Sequence, residues 1–303
     1  MRVLITGGTG LIGRALAADL GAASHEVVLL TRDPSRAGRL PDNVRAERWD
    51  GVSPEGWAGL VEGPDTAVVH LAGEGIAEGR WSEERKRRIR DSRVRSTAAV
   101  TAAIAQARVP PKVLLQGSAV GYYGACGDEE VTEDHPPGDN FLAAVSLEWE
   151  AASAKVEALG VRRAVLRTGI VLAREGGALP KMALPFRLFA GGPLGDGRQW
   201  IPWLHLADQV GALRFLLDCA DARGPFNLSA PQPVRNRELS RALGRTLSRP
   251  SFLPAPRFAL HLVLGEMAAI LLDGQRAVPR ALLKLGYRFR FPEVEPALRD
   301  LLG

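Results

Sequence analysis

The sequence predicts an α/β fold: a doubly wound parallel sheet of the Rossmann type, joined to a smaller C-terminal lobe. Strand-like and helix-like stretches alternate through the first half, and a glycine-rich turn follows the first strand. After the first half the alternation gives way to a stretch rich in Gly, Pro and bulky apolar residues. We therefore assign residues 1–168, with 204–230 returning to them, to the Rossmann domain, and residues 169–203 and 231–303 to the lobe.

The elements of the first half follow from short apolar runs and from helix start and stop signals. The predicted strands are Arg2–Thr6, Glu26–Leu30, Val44–Trp49, Ala67–Leu71, Lys112–Gln116 and Arg163–Arg167. The predicted helices between them are Leu11–Leu20, Glu83–Ala107 and Leu142–Leu159. Ser82 marks the start of the second helix, the Pro110–Pro111 pair marks its end, and Gly160 stops the third.

The second half is predicted to consist of helices joined by irregular segments. The predicted helices are Gln209–Ala220, Arg237–Leu247, Phe258–Leu272 and Pro279–Leu285, with one short strand at Pro225–Leu228. Residues 169–203 show little clear hydrophobic period. These features indicate a smaller lobe that closes over a cleft.

The composition is that of an ordinary globular protein, with 46% hydrophobic and 24% charged residues. The 39 basic and 34 acidic side chains give a net charge of +5, which is mild, and no aromatic platform accompanies the basic residues, so we expect no nucleic-acid partner. Cys126 and Cys219 match neither a disulfide framework nor a metal spacing, so we expect no metal and a reducing, cytoplasmic compartment. No signal-peptide pattern or membrane-length apolar run is found, so we expect no membrane partner.

The glycine-rich turn is the strongest local signal for a ligand. Gly7, Gly10 and Gly13 stand between a strand and a helix, which is the context that a dinucleotide-binding fingerprint requires. One glycine permits the tight turn, one lets the backbone approach a diphosphate, and one lets helix and strand pack closely. The cofactor-binding residues predicted here are Gly7, Thr9, Gly10, Leu11, Ile12 and Gly13.

The residues after the second strand indicate which dinucleotide is bound. An NAD site places Asp or Glu about 20 residues beyond the glycines, where it bonds the ribose 2′-OH. This chain has Thr31 and Arg32 at that point, and Arg32 is suited to a 2′-phosphate. We therefore predict NADP(H) as the cofactor. Asp50, just after the third strand, is either an adenine contact or a turn residue.

These motifs resemble the extended short-chain dehydrogenase/reductase superfamily, and within it the atypical branch known as the epimerase family, whose substrates are uncertain. The matching stretches are Thr6–Gly13, His70–Gly73, Gly117–Gly124, Arg167–Leu172, Gly176–Leu179, Gly191–Gly195, Trp203–His205 and Gly265–Ala268. The resemblance implies that the smaller C-terminal lobe binds the substrate, that Leu71, Ala72 and Gly73 line the cofactor, and that Ser118 ends a strand beside the nicotinamide. We also predict that Gly117 and Arg167 contact the cofactor.

The chain departs from the superfamily at its proton-transfer residues. Members usually carry a Tyr and a Lys four positions apart on the helix after the serine strand, and here Ser146 and Glu150 stand at those positions. The usual Asn is replaced by Arg93. Glu150 would repel an anionic cofactor or phenolate. Ser118, Tyr122 and Arg93 are therefore our candidate catalytic residues.

Several other residues keep two interpretations open. Tyr122 and Tyr123 are either cleft residues or packing residues, and Arg93 and Arg167 either clamp an anionic substrate or pair with carboxylates. His205 is either a titratable site residue or a link between the lobes. The three tryptophans Trp81, Trp200 and Trp203 either form an aromatic wall of the cleft or pack in the core. The acidic loop around Asp128, Glu133 and His135 is expected at the surface.

Two functions remain open on the sequence. The first is an NADP(H)-dependent oxidoreductase or epimerase-like enzyme acting on a small carbonyl or hydroxyl substrate, with a group other than the usual Tyr/Lys pair transferring the proton. The second is a catalytically inactive NADP(H)-binding sensor or regulatory protein that acts through a partner. If the protein is an enzyme, the expected partner is a small-molecule substrate. We expect the protein to be a monomer or a homodimer.

Overall fold

A parallel sheet is the centre of the computed structural model, which describes residues 1–303. The strands are β1 (Arg2–Thr6), β2 (Glu26–Thr31), β3 (Val44–Arg48), β4 (Thr66–His70), β5 (Val113–Ala119), β6 (Glu130–Val131), β7 (Arg162–Thr168), β8 (Ile170–Leu172), β9 (Trp200–Ile201), β10 (Trp203–His205), β11 (Gly224–Leu228), β12 (Val234–Arg235) and β13 (Arg276–Ala277). Seven of them form the central sheet in the order β3-β2-β1-β4-β5-β7-β11, and all its pairs are parallel. The predicted doubly wound sheet is confirmed.

Helices cover both faces of the sheet and build the lobe. They are α1 (Leu11–Ala22), α2 (Glu83–Gln106), α3 (Phe141–Ala152), α4 (Leu179–Arg187), α5 (Leu206–Asp218), α6 (Asn236–Leu247), α7 (Arg257–Leu264), α8 (Ala269–Leu272), α9 (Arg280–Lys284) and α10 (Val294–Leu302). Short 3-10 helices occur at Pro34–Ala37, Ala58–Val61, Val120–Tyr123, Ala154–Leu159 and Gly265–Ala268. None of these helices combines the length and the apolar character that crossing a bilayer requires.

Alternation along the strands divides the sheet's apolar residues between two cores. Val3 and Ile5 of β1 point into the core under α1 and α5, whereas Leu4 points into the core under α2. A third core, which includes Phe186 and Trp203, joins α4, α6 and α10 in the lobe. Strands buried on both faces explain why the sequence shows near-continuous apolar runs there.

Two predicted helices are wrong in their extent. The predicted helix Leu142–Leu159 ends early, because α3 stops before the buried Ser153, whose hydroxyl donates to the backbone oxygen of Glu150 at 3.1 Å. The predicted helix Phe258–Leu272 is interrupted at Gly265, which has a φ of +60°. A right-handed helix cannot pass through that conformation.

The segment 169–203 contains regular structure that its sequence does not reveal. Its strands β8 and β9, and β10 at its end, are only two or three residues long, and α4 carries Pro185 in its interior. Such short elements give no measurable hydrophobic period. They form because β10 pairs with β8 and β9 pairs with β12, contacts that join distant parts of the chain.

Candidate active site

The candidate cofactor crevice lies where the strand order of the sheet reverses. β1 pairs with β2 on one side and with β4 on the other. The glycine-rich turn follows β1, and Leu71, Ala72 and Gly73 follow β4, so both segments lie at the carboxyl ends of adjacent strands. In open α/β sheets this crevice is the position where ligands bind.

The glycine-rich turn leaves a space that side chains would fill. Gly7 has a φ of +68°, and a Cβ there would lie 2.8 Å from the Leu71 carbonyl oxygen. A Cβ at Gly13 would lie 2.4 Å from the Gly7 oxygen, so α1 packs this closely on the turn only with glycine at both positions. Helix α1 begins after Gly10 without a side-chain cap, which leaves its first N–H groups for an anion. The turn therefore fits a dinucleotide diphosphate.

The other predicted residues of the turn are only partly buried. Thr9 and Leu11 border a surface cleft, and Ile12 packs against the core beneath α1. A Cβ at Gly177 would lie 2.9 Å from Leu11 Cδ2. The loop that follows β8 therefore approaches the turn closely.

A buried histidine fastens this crevice to helix α2. The Thr6 hydroxyl accepts the backbone N–H groups of Leu71 and Ala72, each at 3.1 Å, and lies 2.6 Å from His70 Nδ1. With those two N–H groups on its oxygen, the hydroxyl donates to Nδ1, so Nε2 carries the proton and donates to Thr97 Oγ1 at 2.9 Å. Burial lowers the pKa of His70 to about 3, so the imidazole is neutral and serves as a fixed link.

An available arginine follows β2, beside the crevice. The Arg32 side chain is exposed and makes no hydrogen bond or ion pair. Asp33, the nearest acidic side chain in sequence, accepts from the Ser35 hydroxyl at 2.6 Å and from the Ser35 N–H at 3.1 Å, and these bonds lower its pKa. Asp50 accepts the N–H groups of residues 52 and 53, each at 2.8 Å, so it has the geometry of a turn residue. Arg32 therefore fits a 2′-phosphate.

A serine, a glutamate and an arginine form a buried group at the end of β5. The Ser118 hydroxyl donates to Glu150 Oε1 at 2.6 Å. Arg167 binds both oxygens of the same carboxylate, Nε to Oε1 at 2.9 Å and Nη2 to Oε2 at 3.0 Å. Although burial opposes the charged form, the Glu150 hydrogen bonds raise the pKa of Arg167. The carboxylate is therefore held in place and its charge is balanced.

This group corrects two predictions about charge. Glu150 was expected to repel an anionic ligand, but its carboxylate is neutralised by Arg167. Arg167 was predicted to contact the cofactor, but its guanidinium is bound to Glu150, to the Tyr123 hydroxyl at 3.0 Å and to the Glu133 carbonyl oxygen at 2.9 Å. With four of its N–H groups used inside the protein, Arg167 is a positioning residue for Glu150.

The predicted role of Tyr122 as a proton donor does not fit its surroundings. Its ring is buried, lies under the Arg167 guanidinium with 3.6 Å between the ring centroid and Cζ, and does not line the cavity. Tyr123 is buried as well, and burial raises its pKa to about 12. Both tyrosines pack in a small core with Val131 and Ala277. Packing is the interpretation that the structure supports.

A cavity of about 530 Å³ lies between the carboxyl ends of β5 and β7 and the lobe. Ala119, the residue after Ser118, lines it, as do Ser146 and Arg93. Its aromatic lining residues are Trp81, Phe141, Trp149 and Trp200. The expected aromatic wall thus contains Trp81 and Trp200, whereas Trp203 is fully buried in the lobe core.

Arg93 is the charged residue at the inner side of this cavity. Its guanidinium makes a single hydrogen bond, from Nη1 to the Ile89 backbone oxygen at 2.9 Å, and no ion pair. It lies beside the Gly73 backbone, where a Cβ would be 3.3 Å from its Cζ, and 5.1 Å from the Trp149 ring. Burial lowers the pKa of Arg93 to about 10, so it is still a cation at neutral pH. A Cβ at Gly117 would lie 2.9 Å from Trp149, so that glycine permits the ring's position.

Two other predicted residues lie outside the site. His205 Nδ1 accepts the Ala207 N–H at 3.0 Å, its Nε2 lies 3.2 Å from Asp300, and its ring stacks on Phe291, so it links the lobes. Burial lowers its pKa. Glu133 was expected at the surface, but it is buried and accepts the N–H groups of Asn227 and Ala281. Burial raises its pKa.

Sequence reasoning missed three members of the site. Phe141 and Trp149 were not predicted to line the cavity, although residues 141, 145 and 149 recur at a spacing of four and so share one face of α3. Glu150 was recognised only as a replaced lysine. Its partnership with Ser118 and Arg167 joins residues 32 and 17 positions apart, and no local pattern reveals it.

The fold and the glycine-lined crevice define this chain as a dinucleotide-binding α/β protein. A sequence model of the NAD dependent epimerase/dehydratase family matches residues 3–229, and one described as a domain of unknown function (DUF1731) matches residues 255–301. The chain belongs to the NAD-dependent epimerase/dehydratase family. The resemblance stated from the sequence is confirmed.

Relatives match over the whole chain. The chloroplastic epimerase family protein SDR39U1 homolog of Arabidopsis thaliana is 42% identical over 100% of this chain and 87% of its own length. The epimerase family protein YfhF of Bacillus subtilis is 37% identical over 100% of this chain and 98% of its own. The crystal structure of human epimerase family protein SDR39U1 with NADPH is 37% identical, with a TM-score of 0.89 and coverage of 100% and 99%. MoeE5 in complex with UDP-glucose and NAD shares the fold, at 20% identity, a TM-score of 0.78 and coverage of 100% and 97%.

Proposed function

We propose that this protein is an NADP(H)-dependent oxidoreductase, or an epimerase-like enzyme, that acts on a small carbonyl or hydroxyl compound. Ser118 and Glu150 take the place of the usual Tyr/Lys pair. The observation that carries the proposal is the 2.6 Å hydrogen bond from the Ser118 hydroxyl to a carboxylate that Arg167 holds from the other side. A hydroxyl becomes useful in proton transfer when a positioned base shares its hydrogen.

The crevice supports NADP(H) over NAD(H). The N–H groups at the start of α1 would hold the diphosphate, and Arg32 would hold the 2′-phosphate. Leu71, Ala72 and Gly73 would border the ribose on the β4 side of the crevice. A relative of 37% identity was crystallised with NADPH. When bound, the nicotinamide supplies or accepts a hydride.

The cofactor preference is tested by replacing Arg32. We expect Arg32→Ala to weaken NADPH binding about tenfold or more, because a charge-assisted bond to phosphate is lost, and to leave NADH binding within about twofold. Paired calorimetric titrations measure the dissociation constants of NADPH and NADH. Arg108→Ala is the matched control, since Arg108 is also exposed but precedes β5, at the amino ends of the strands and therefore away from the crevice at their carboxyl ends. Tighter NADH than NADPH binding by the unaltered protein contradicts the preference.

The chain's own residues would move the proton in a balanced exchange. In oxidation, the substrate hydroxyl gives its proton to Ser118 Oγ as the Ser118 hydrogen passes to Glu150 Oε1, while the carbon loses a hydride. In reduction, the protonated Glu150 returns a proton to Ser118, which donates its own to the carbonyl oxygen. Arg167 keeps the carboxylate facing Ser118 in both directions, and the apolar rings around the cavity exclude water.

A second candidate function is an NADP(H)-binding sensor without turnover. The observation that favours it is that Ser118 is 5% exposed and already donates its hydrogen to Glu150, while neither Tyr122 nor Tyr123 lines the cavity. A substrate oxygen would have to displace that bond. The sensor needs only the crevice, and its activity would depend on a partner protein.

Turnover separates the two functions. We expect NADPH absorbance to fall in the presence of at least one compound from a panel of aldehydes, ketones, quinones and oxo acids, because the Ser118 hydroxyl and its base lie directly behind Ala119, which lines the cavity. Calorimetry on the same preparation gives the NADPH stoichiometry. One NADPH bound per chain, with no oxidation across the panel and no reduction of NADP⁺ by the matching alcohols, would support the sensor and contradict the enzyme.

We further propose that the protein acts in the cytoplasm as a monomer or homodimer. Both cysteines are free, as a reducing compartment requires, and a relative is found in Bacillus subtilis. Four of the seven basic residues of α2 form ion pairs with acidic side chains, which supports a small-molecule substrate over a nucleic acid.

A further inference from the structure

The lining of the cavity carries information about the substrate that the family does not supply. Fourteen of its 25 lining residues are hydrophobic. Trp81 and Phe141 pack edge to face with 5.1 Å between ring centroids, and the Trp81 indole N–H donates to the Ile76 oxygen at 2.9 Å. Rings held in this way form a wall before any ligand arrives, and such walls suit a planar apolar group.

The charges around the cavity are balanced except at one residue. Two lining carboxylates are paired outward, Glu266 with Lys86 and Asp273 with Arg257 at 4.0 Å. The arginines stacked on Trp200 are paired too: Arg235 with Asp128 at 2.8 Å and Arg276 with Glu130 at 3.9 Å.

Arg93 is the lining cation without a carboxylate partner. A partly buried cation that has one hydrogen bond and an aromatic face beside it is incompletely compensated. One anionic group on the ligand would complete it.

We propose, on the basis of the oxidoreductase function above, that the cavity takes a monoanionic and mainly apolar carbonyl compound, such as an aromatic oxo acid. Its carboxylate binds Arg93, its ring lies between the aromatic lining residues, and its carbonyl lies at Ala119, the lining residue next to Ser118. A sugar nucleotide does not fit these features. Its diphosphate needs at least two cations, whereas the cavity offers Arg93 together with the carboxylates Glu266 and Asp273.

The size of the cavity agrees with this assignment. A volume of about 530 Å³ lies near the lower part of the range for small-molecule sites. A nicotinamide at the carboxyl ends of β5 and β7 would take part of that volume, since Ala119 and Thr168 are lining residues. The remaining space suits a ring with a short acidic side chain.

The test is a binding measurement that does not need turnover. Three probes are compared: 2-naphthoate, its neutral isostere 2-naphthamide, and UDP-glucose. Their binding to the free protein and to the protein saturated with NADP⁺ is measured by quenching of tryptophan fluorescence and checked by calorimetry. We expect 2-naphthoate to bind at least about tenfold more tightly than either of the others, because it alone joins one charge to a planar apolar ring. Tighter binding of UDP-glucose, or equal binding of the acid and the amide, would overturn the proposal.

Variants of Arg93 test whether this residue binds the carboxylate of the ligand. Arg93→Gln should lower the affinity for 2-naphthoate about tenfold and leave the affinity for 2-naphthamide unchanged. Arg93→Lys should retain part of the affinity for 2-naphthoate. Arg95→Gln is the matched control, an exposed arginine two residues further along α2. An Arg93→Gln protein that binds 2-naphthoate normally contradicts the proposal.

The relative affinities of the wild-type protein for the three probes test the proposal even if the Arg93→Gln variant is unstable. Binding of 2-naphthoate to the free protein, with no affinity for NADP⁺, would support the cavity assignment while contradicting the proposed cofactor. The two proposals can therefore fail separately.

Discussion

Ser118→Ala is expected to lower kcat by about 100- to 10,000-fold, the usual contribution of a positioned acid–base group. The substitution removes the hydroxyl that would stand between the substrate oxygen and Glu150. NADPH affinity should change less than about threefold, because Glu150 and Arg167 keep their two mutual hydrogen bonds. Steady-state NADPH oxidation, with the fastest compound of the carbonyl panel, together with calorimetry, measures both quantities.

Ser146→Ala is the matched control for that experiment. It is the same chemical change at a buried serine close to the same site, at the position where the superfamily has its tyrosine, but Ser146 has no carboxylate partner. We expect a change in kcat of less than about threefold. A Ser118→Ala protein that keeps its full kcat, or a Ser146→Ala protein that loses it, would show that the Ser118–Glu150 pair does not transfer the proton.

Arg167→Met is expected to lower the free energy of unfolding by about 3–5 kcal/mol. The change leaves the Glu150 carboxylate, which is 13% exposed, without its cation, and it removes two further hydrogen bonds, to Tyr123 and to the Glu133 backbone. Methionine fills similar space, so the cost arises mainly from the uncompensated charge. Urea unfolding at pH 7, with and without NADPH, measures the loss.

Two controls separate this charge effect from lost packing. Arg167→Met combined with Glu150→Leu should recover part of the loss, because replacing both members of a buried pair leaves no isolated charge. Arg299→Met removes an arginine from the exposed pair with Glu295 and should leave the unfolding midpoint almost unchanged. A single Arg167→Met variant as stable as the wild type would mean that Glu150 does not need its partner.

The Rossmann part of the fold was predictable because its signals are local. Inner strands such as β1 and β4 are short apolar runs that are buried on both faces, and Gly13 is fixed by contacts within its own turn. The lobe was less predictable. Its strands are two or three residues long, and Gly265 interrupts a stretch that otherwise has the composition of one helix.

The candidate site was likewise only partly predictable from the sequence. The sequence alone determined the sheet, the glycine-lined crevice, the position of Arg32 and the absence of the usual Tyr/Lys pair, since each depends on neighbouring residues or on one spacing. Only the tertiary structure decided what Glu150 does, that Arg167 positions it, that Tyr122 is packed away and that Arg93 is left without a partner. Those facts depend on which of several carboxylates lies nearest each arginine. Packing settles that choice between residues far apart in the chain.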